Sequence, residues 1–520
     1  MNWTDRQEAE SLWREAHRQF ALEFADRVVV RETGAAHAVH VDERLVQAIW
    51  SDQMLAGDRL ATASGKTLEI IEPGRWNTAR GPDFLDARIR LAGEIVTGDV
   101  EIHVESADWR RHGHHQDFEY NRVILHVALR AHDDRPYEEK QNGERLERLV
   151  LGEFLEPDLE TVRATINLAD YPYSRPAELG LCHEQFIRLP QEQLQDFLIR
   201  AGRARIEQKV ARFAAQRGAA DFRQVIYQSL MTGQGFKASK TLYFLLSKRA
   251  PLAELVDHGR DVVAGDRADF FFSALAHVAR LVPEQGDLTE LDEESAAFLK
   301  KITALWQPVS PYFRDRFLPP SKRWFAGVRP ASFPTRRLAA VAVLLGRLTN
   351  SDHPLFAEFC AAIKGADLSG KKPKEISAFW KKLAELITVD GDEHYFGTHF
   401  SFGGKKQKPQ ALLGEPAALS LIFNTFLPLA ILKAREIKDV ELEKSAWRLV
   451  AIFPALEKNS VVRFMERRLF GEAGGDAGLF RREIFQQSLL KVFSDCCAQN
   501  ERTCDDCTFL SLANAEQSAR

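Results

Sequence analysis

Four short apolar runs, each of strand length, lie within about sixty residues of one another: Thr67–Ile71, Ala87–Leu91, Ile95–Val104 and Val123–Leu129. They constrain the fold more than anything else in the chain, because runs this short bury their side chains only by pairing into a sheet. The last run, Val-Ile-Leu-His-Val-Ala-Leu, is continuous rather than alternating, as expected of a strand covered on both faces. Asp42 is placed to cap a helix through Trp50, with Glu43, Gln47 and Trp50 on one face. The polar stretch from Asp108 to Tyr120 is read as a second helix. The expected order is therefore helix, three strands, helix, strand, an α/β arrangement.

From about residue 177 the texture changes to helical patterns: Gln191–Ala215, Lys237–Lys248, Ala268–Leu281, Arg337–Leu348, Pro354–Ile363, Glu375–Ile387, Ala417–Ala434 and Lys444–Phe453. The fold class expected is α/β plus α, with an α/β domain over 1–176 and a helical domain over 177–520. A chain of 520 residues exceeds one ordinary core. No apolar run reaches the roughly 18 uninterrupted residues of a membrane span. The charged first twenty residues lack the apolar segment of a secretory signal. The six cysteines do not form a disulfide-framework pattern, so a cytoplasmic location is expected.

The chemistry concentrates in two motifs, Gly81-Pro82-Asp83-Phe84 and Gly98-Asp99-Val100-Glu101-Ile102-His103. Asp83 stands at the entry to one strand. Glu101 and His103 are two apart on the next, so they share a face. Carboxylates on neighbouring strands suit a hard divalent ion, which favours oxygen ligands and retains waters. This layout is similar to that of Mg²⁺-dependent phosphodiesterases of the PD-(D/E)xK type, with His103 where lysine usually stands. The element order also matches the core of restriction-endonuclease-like folds. The resemblance implies that Asp83 and Glu101 bind Mg²⁺ or Mn²⁺, that Glu43 assists from its helix, and that His103 orients or deprotonates water.

Trp50, the two motifs above, Asp108-Trp109, His112-Gly113-His114, Tyr120, Leu125-His126-Val127 and the distant Arg329-Pro330-Ala331-Ser332-Phe333-Pro334 resemble a bacterial family, domain of unknown function 2851. The resemblance covers most of the chain and implies a shared architecture, without supplying a reaction. His112, His114 and His126 allow a different chemistry, a zinc hydrolase, because zinc favours imidazole. A third reading is a nucleic-acid-binding protein that keeps a nuclease fold without turnover.

Two basic blocks suit a nucleic-acid partner, DNA or RNA. The first contains Arg203 and Arg212, and the second Arg323, Arg329 and Arg337, each among few acids. Near the C-terminus, Cys496-Cys497, Cys504 and Cys507 include a Cys-x2-Cys half-site for zinc or an iron–sulfur cluster. Some PD-(D/E)xK nucleases combine one remote cysteine with a C-terminal trio. By that resemblance, Cys182 joins Cys497, Cys504 and Cys507.

Overall fold

The computed structural model describes residues 41–497. The exceptions are 56–59, 78–80, scattered positions between 157 and 178, 189, 218–220, 236–238, 284–290, 319–323, 326–327, 352–353, 393 and 472–478. Two compact units result. The described residues within 41–190, 459–471 and 492–497 form one, and those within 191–458 and 479–491 form the other. The division is discontinuous and falls near residue 190, whereas a single cut between 176 and 177 was expected.

The first unit is built on a mixed sheet. Its opening helix, α1 (Glu43–Ser51), starts where the Asp42 carboxylate accepts from Arg44 N at 2.9 Å, satisfying a donor that the first turn leaves open. The strands are β1 (Leu68–Glu72), β2 (Arg75–Trp76), β3 (Phe84–Leu91), β4 (Glu94–Glu105), β5 (Val123–Arg130), β6 (Tyr137–Glu139) and β7 (Arg145–Val150). Their order across the sheet is β1-β3-β4-β5-β7-β6, with β2 paired to β3. The pairs β1/β3 and β3/β4 are antiparallel, β4/β5 and β5/β7 parallel, and β6/β7 antiparallel. All four expected strands occur as β1, β3, β4 and β5, with every bound within three residues of expectation. The β6–β7 hairpin was not anticipated, because a three-residue strand carries too short a pattern to read.

Alternation along the strands sorts the two faces. Val100 and Ile102 of β4, Leu125 and Val127 of β5, and Leu149 of β7 pack against Val46, Ile49 and Trp50 of α1. The intervening residues Glu101, His103, His126 and Arg148 belong to the opposite face, and all four are buried too. The connection from β4 to β5 covers them. It is a single helical turn, α2 (Asp108–Arg111), followed by 3₁₀ turns at His114–Gln116 and Phe118–Arg122. The continuous helix expected over 108–120 breaks at Gly113, whose φ of +80° lies in the left-handed region, which an L side chain enters only at a cost. Gly98 has a different role. A Cβ there would sit 2.4 Å from Ile124 Cγ2 and 2.6 Å from Arg122 O, so only glycine lets β5 begin this close to β4.

Two later segments complete this unit. The helix Ser460–Phe470 packs on His183–Arg188, with the Phe186 and Phe470 rings 5.9 Å apart and Gly180 N donating to Arg468 O at 2.9 Å. Phe493, on the turn Phe493–Cys497, lies 6.3 Å from Phe464.

Helices make up the second unit. Its longest runs from Gln191 to Arg217, where Glu207 is fully buried and paired with Arg435 through two contacts of 2.6 and 2.8 Å. Glu443 holds the same guanidinium at 2.9 Å. One run, Glu415–Ile437, has the length and apolarity to cross a bilayer, but 72% of that window is buried inside the protein, as in a core helix. Its middle is a π-turn at Ile422–Phe426, next to Pro428, which has no N–H to offer the preceding turn.

Candidate metal centre

β3 begins at Phe84, opposite Val100 of β4, and Asp83 occupies the position just before the ladder starts. Its main-chain N–H donates to Glu101 Oε2 at 3.0 Å. Its carboxylate accepts from Ile102 N at 2.9 Å and from Gln47 Nε2, on α1, at 2.9 Å. Asp83 and Glu101 thus meet through the Asp83 main chain, while the Asp83 carboxylate holds β4 and α1. Gln47 is the residue of α1 that reaches Asp83. Glu43 lies one turn earlier on that helix and is half-buried.

On the covered face Glu101 meets imidazoles. Its Oε1 is 3.1 Å from His114 Nε2 and 3.7 Å from His103 Nε2. His103 Nε2 is in turn 3.2 Å from His112 Nδ1, and His103 Nδ1 is 2.9 Å from His126 Nε2. One nitrogen from each of His103, His112 and His114 falls within 4.8 Å of the other two. Glu101, His103 and His114 are buried, at 5%, 1% and 3% exposure, whereas His112 faces solvent.

The turn after α2 produces this convergence. Gly113 reverses the chain between His112 and His114, so their rings stand 5.6 Å apart and nearly perpendicular. Tyr120 closes on His114 with ring centroids 3.9 Å apart, and Trp109 lies 5.4 Å from both His114 and His126. Trp109 Nε1 donates to Glu139 O at 3.2 Å, which fixes this aromatic roof to β6.

Burial is the main cause of the electrostatics. It drives the His103 pKa well below the usual histidine value, with further lowering from His126, His114, His112 and Arg111. His126, fully enclosed, is pushed down to about 3 by burial, then by Arg148 and His114. Both rings are thus neutral near pH 7, and neutral imidazole is the form that keeps a lone pair. Arg148 lies beside His126 in the register and is held by Asp133 at 3.0 Å.

The sequence separated two sets of residues here, His103 with the acids and His112, His114 and His126 with zinc. The structure joins them: His103 belongs with His112 and His114, and His126 stands behind His103. Gln47, Tyr120 and Trp109 were not read as parts of the site, although the aromatic pair flanks the histidines in sequence. His115 is half-buried and outside the group.

The remaining expected residues lie elsewhere. Arg203 packs its guanidinium over the Trp447 ring at 4.6 Å, and Arg212 lies 5.5 Å from the Phe213 ring. Arg337 donates to Ser332 O at 3.1 Å and to Gln234 O. These three arginines are at least half-buried and work within the helical unit, whereas a free cationic surface was expected of them. Arg329 is exposed, and Arg323 lies outside the described residues. Cys182 and Cys497 are half-buried and fall in the same unit, while Cys504 and Cys507 lie outside the described residues.

A family model, "Protein of unknown function (DUF2851)", matches residues 43–460. The chain belongs to this family. The matched span takes in α1, the whole sheet and the histidine-bearing connection, together with most of the helical unit. No curated protein and no solved structure matches the chain.

Proposed function

We propose that the sheet-bearing unit is a divalent-metal-dependent phosphodiesterase acting on nucleic acid, built on a restriction-endonuclease-like core. The observation that carries this reading is the junction of Asp83 and Glu101 at the start of β3, with Glu101 and His103 on one face of β4. The arrangement around it agrees: α1, then the antiparallel β1-β3-β4 set, then a crossover to β5 parallel with β4. Phosphodiester hydrolysis needs a water made nucleophilic near neutral pH and positive charge near the scissile phosphate, and a bound divalent ion supplies both.

Glu101 is the acid that faces the ion-binding space. Asp83 is a positioning residue: through Ile102 N and Gln47 it fixes the segment of β4 that carries Glu101. His103, backed by His126, presents its other nitrogen toward Glu101. The phosphate-facing charge in this reading comes from the β4–β5 connection itself. Arg110, Arg111 and Arg122 are 44%, 68% and 68% exposed, and flank His112 and His114 in the chain.

Purified full-length protein, tested on single-stranded and duplex DNA and RNA with Mg²⁺, Mn²⁺ or Zn²⁺, should cleave at least one substrate, and Glu101→Gln should abolish cleavage. Binding without cleavage under every ion would replace this reading with a non-catalytic nucleic-acid-binding protein.

A further inference from the structure

We infer that the ion held in this site is a nitrogen-preferring first-row ion of the Zn²⁺ class, and not Mg²⁺, ligated by His103, His112 and His114, with the Glu101 carboxylate beside them. The inference rests on the proposed hydrolytic site for its location. Its test needs no substrate, so the two can fail separately.

The donor set decides the ion class. Imidazole suits zinc and its neighbours, whereas Mg²⁺ favours carboxylates, carbonyls and water. Three imidazoles to one carboxylate is the inverse of a magnesium site. The spacing fits as well. Zinc holds nitrogen and oxygen ligands at about 2.0–2.2 Å, so adjacent corners of its tetrahedron are roughly 3.3 Å apart. Here His103 Nε2 to His112 Nδ1 is 3.2 Å, and one ring nitrogen from each of His103, His112 and His114 lies within 4.8 Å of the other two, with Glu101 Oε1 3.1 Å from His114 Nε2. Without an ion these pairs are hydrogen bonds sharing the imidazole N–H protons, and the same nitrogens present lone pairs to a cation when the tautomers turn the protons away.

The surroundings are those of a built site. Glu101, His103 and His114 are each more than nine-tenths buried. His103 is oriented by His126 at 2.9 Å through its other nitrogen, the way ligating histidines are ordinarily held. Tyr120 and Trp109 lock the His114 ring. His112 is the exposed member and marks the side open to solvent, from which an ion would enter.

The test is metal binding by the whole chain after chelator treatment. Titration calorimetry with ZnCl₂ and MgCl₂ should show one Zn²⁺ bound per chain at this site, undisturbed by millimolar Mg²⁺. Co²⁺ in its place should give visible d–d bands of nitrogen and oxygen ligation without the intense near-ultraviolet charge transfer of thiolates. His112→Ala, at an exposed position that leaves the fold intact, should weaken Zn²⁺ by about tenfold or more, the scale on which ligand-shell changes act. His114→Ala should weaken it at least as much, and His115→Ala should leave it unchanged. Absence of Zn²⁺ and Co²⁺ binding overturns the inference, as does wild-type affinity in both ligand variants. A thiolate signature surviving in those variants also overturns it, by moving the ion to the cysteines. Cleavage by a protein that binds only Mg²⁺ would leave the hydrolytic reading standing without this ion. Zn²⁺ bound as described by a protein that cleaves nothing would do the reverse.

Discussion

Lowering the pH should destabilise the sheet-bearing unit, and His126 sets much of the amount. This ring is fully enclosed, and its pKa in the folded protein lies at about 3 against 6.5 for an ordinary histidine. The unfolded chain therefore binds a proton below pH 6.5 that the folded chain refuses. Stability is complete above pH 6.5 and falls as the pH drops from there toward 3. Each pH unit inside that window removes about 1.4 kcal/mol per group, so between pH 7.5 and pH 5 His126 alone should cost about 2 kcal/mol. His103 is depressed in the same direction and adds to the loss. The assay is urea unfolding at both pH values with chelator present, followed by hydrogen-exchange mass spectrometry on peptides from β4 and β5. His126→Asn keeps a polar partner for His103 but removes the titration. Its stability difference between the two pH values should be smaller than the wild type's by about 2 kcal/mol. Equal pH sensitivity in the two proteins would mean that His126 takes up its proton in the folded state, and the account of this face as a neutral imidazole cluster would fail.

Gly98→Ala places a methyl group 2.4 Å from Ile124 Cγ2 and 2.6 Å from Arg122 O. It should lower stability by about 1–3 kcal/mol, measured as a reduced urea midpoint. Asp83→Asn puts an amide opposite two donors, Gln47 Nε2 and Ile102 N, so one of them loses its acceptor. A loss of about 1–3 kcal/mol should follow, and a midpoint equal to wild type would deny Asp83 its positioning role. In the helical unit, Glu207→Ala strips two of the contacts on Arg435 and leaves a largely enclosed cation to Glu443. That should cost about 3–5 kcal/mol, and a neutral result in thermal unfolding would show that Arg435 finds water.

The central strands were legible because both of their signals are local. Short apolar runs give the strands, Gly81-Pro82 marks the entry to β3, and the two-residue period puts Glu101 with His103 and Val100 with Ile102. What escaped depends on the path of the chain between elements. The β4–β5 connection has helical composition, yet Gly113 breaks it into one α-turn and two 3₁₀ turns, and that break brings His112 and His114 back over β4. The basic blocks misled for a related reason. Arg203, Arg212 and Arg337 lie in charge-rich windows, but a guanidinium on a helix in a large bundle can stack on a ring or cap a carbonyl. Only the packing decides between the two uses.

A histidine at position 103 fits its neighbours in a way that a lysine would not. A lysine there would put a permanent cation at 1% exposure, next to three imidazoles. Burial of an ammonium without a dedicated partner costs several kcal/mol. Glu101 could pair with it only by giving up the space it shares with His114. Histidine at 103 avoids that charge, accepts orientation from His126, and turns a nitrogen toward His112. His103 and the imidazoles at 112, 114 and 126 therefore form one chemical arrangement. A histidine at 103 is therefore no sign of a degenerate site: in the proposed reading the positive charge comes from a bound ion and from Arg110, Arg111 and Arg122 of the β4–β5 connection, and none is needed from residue 103.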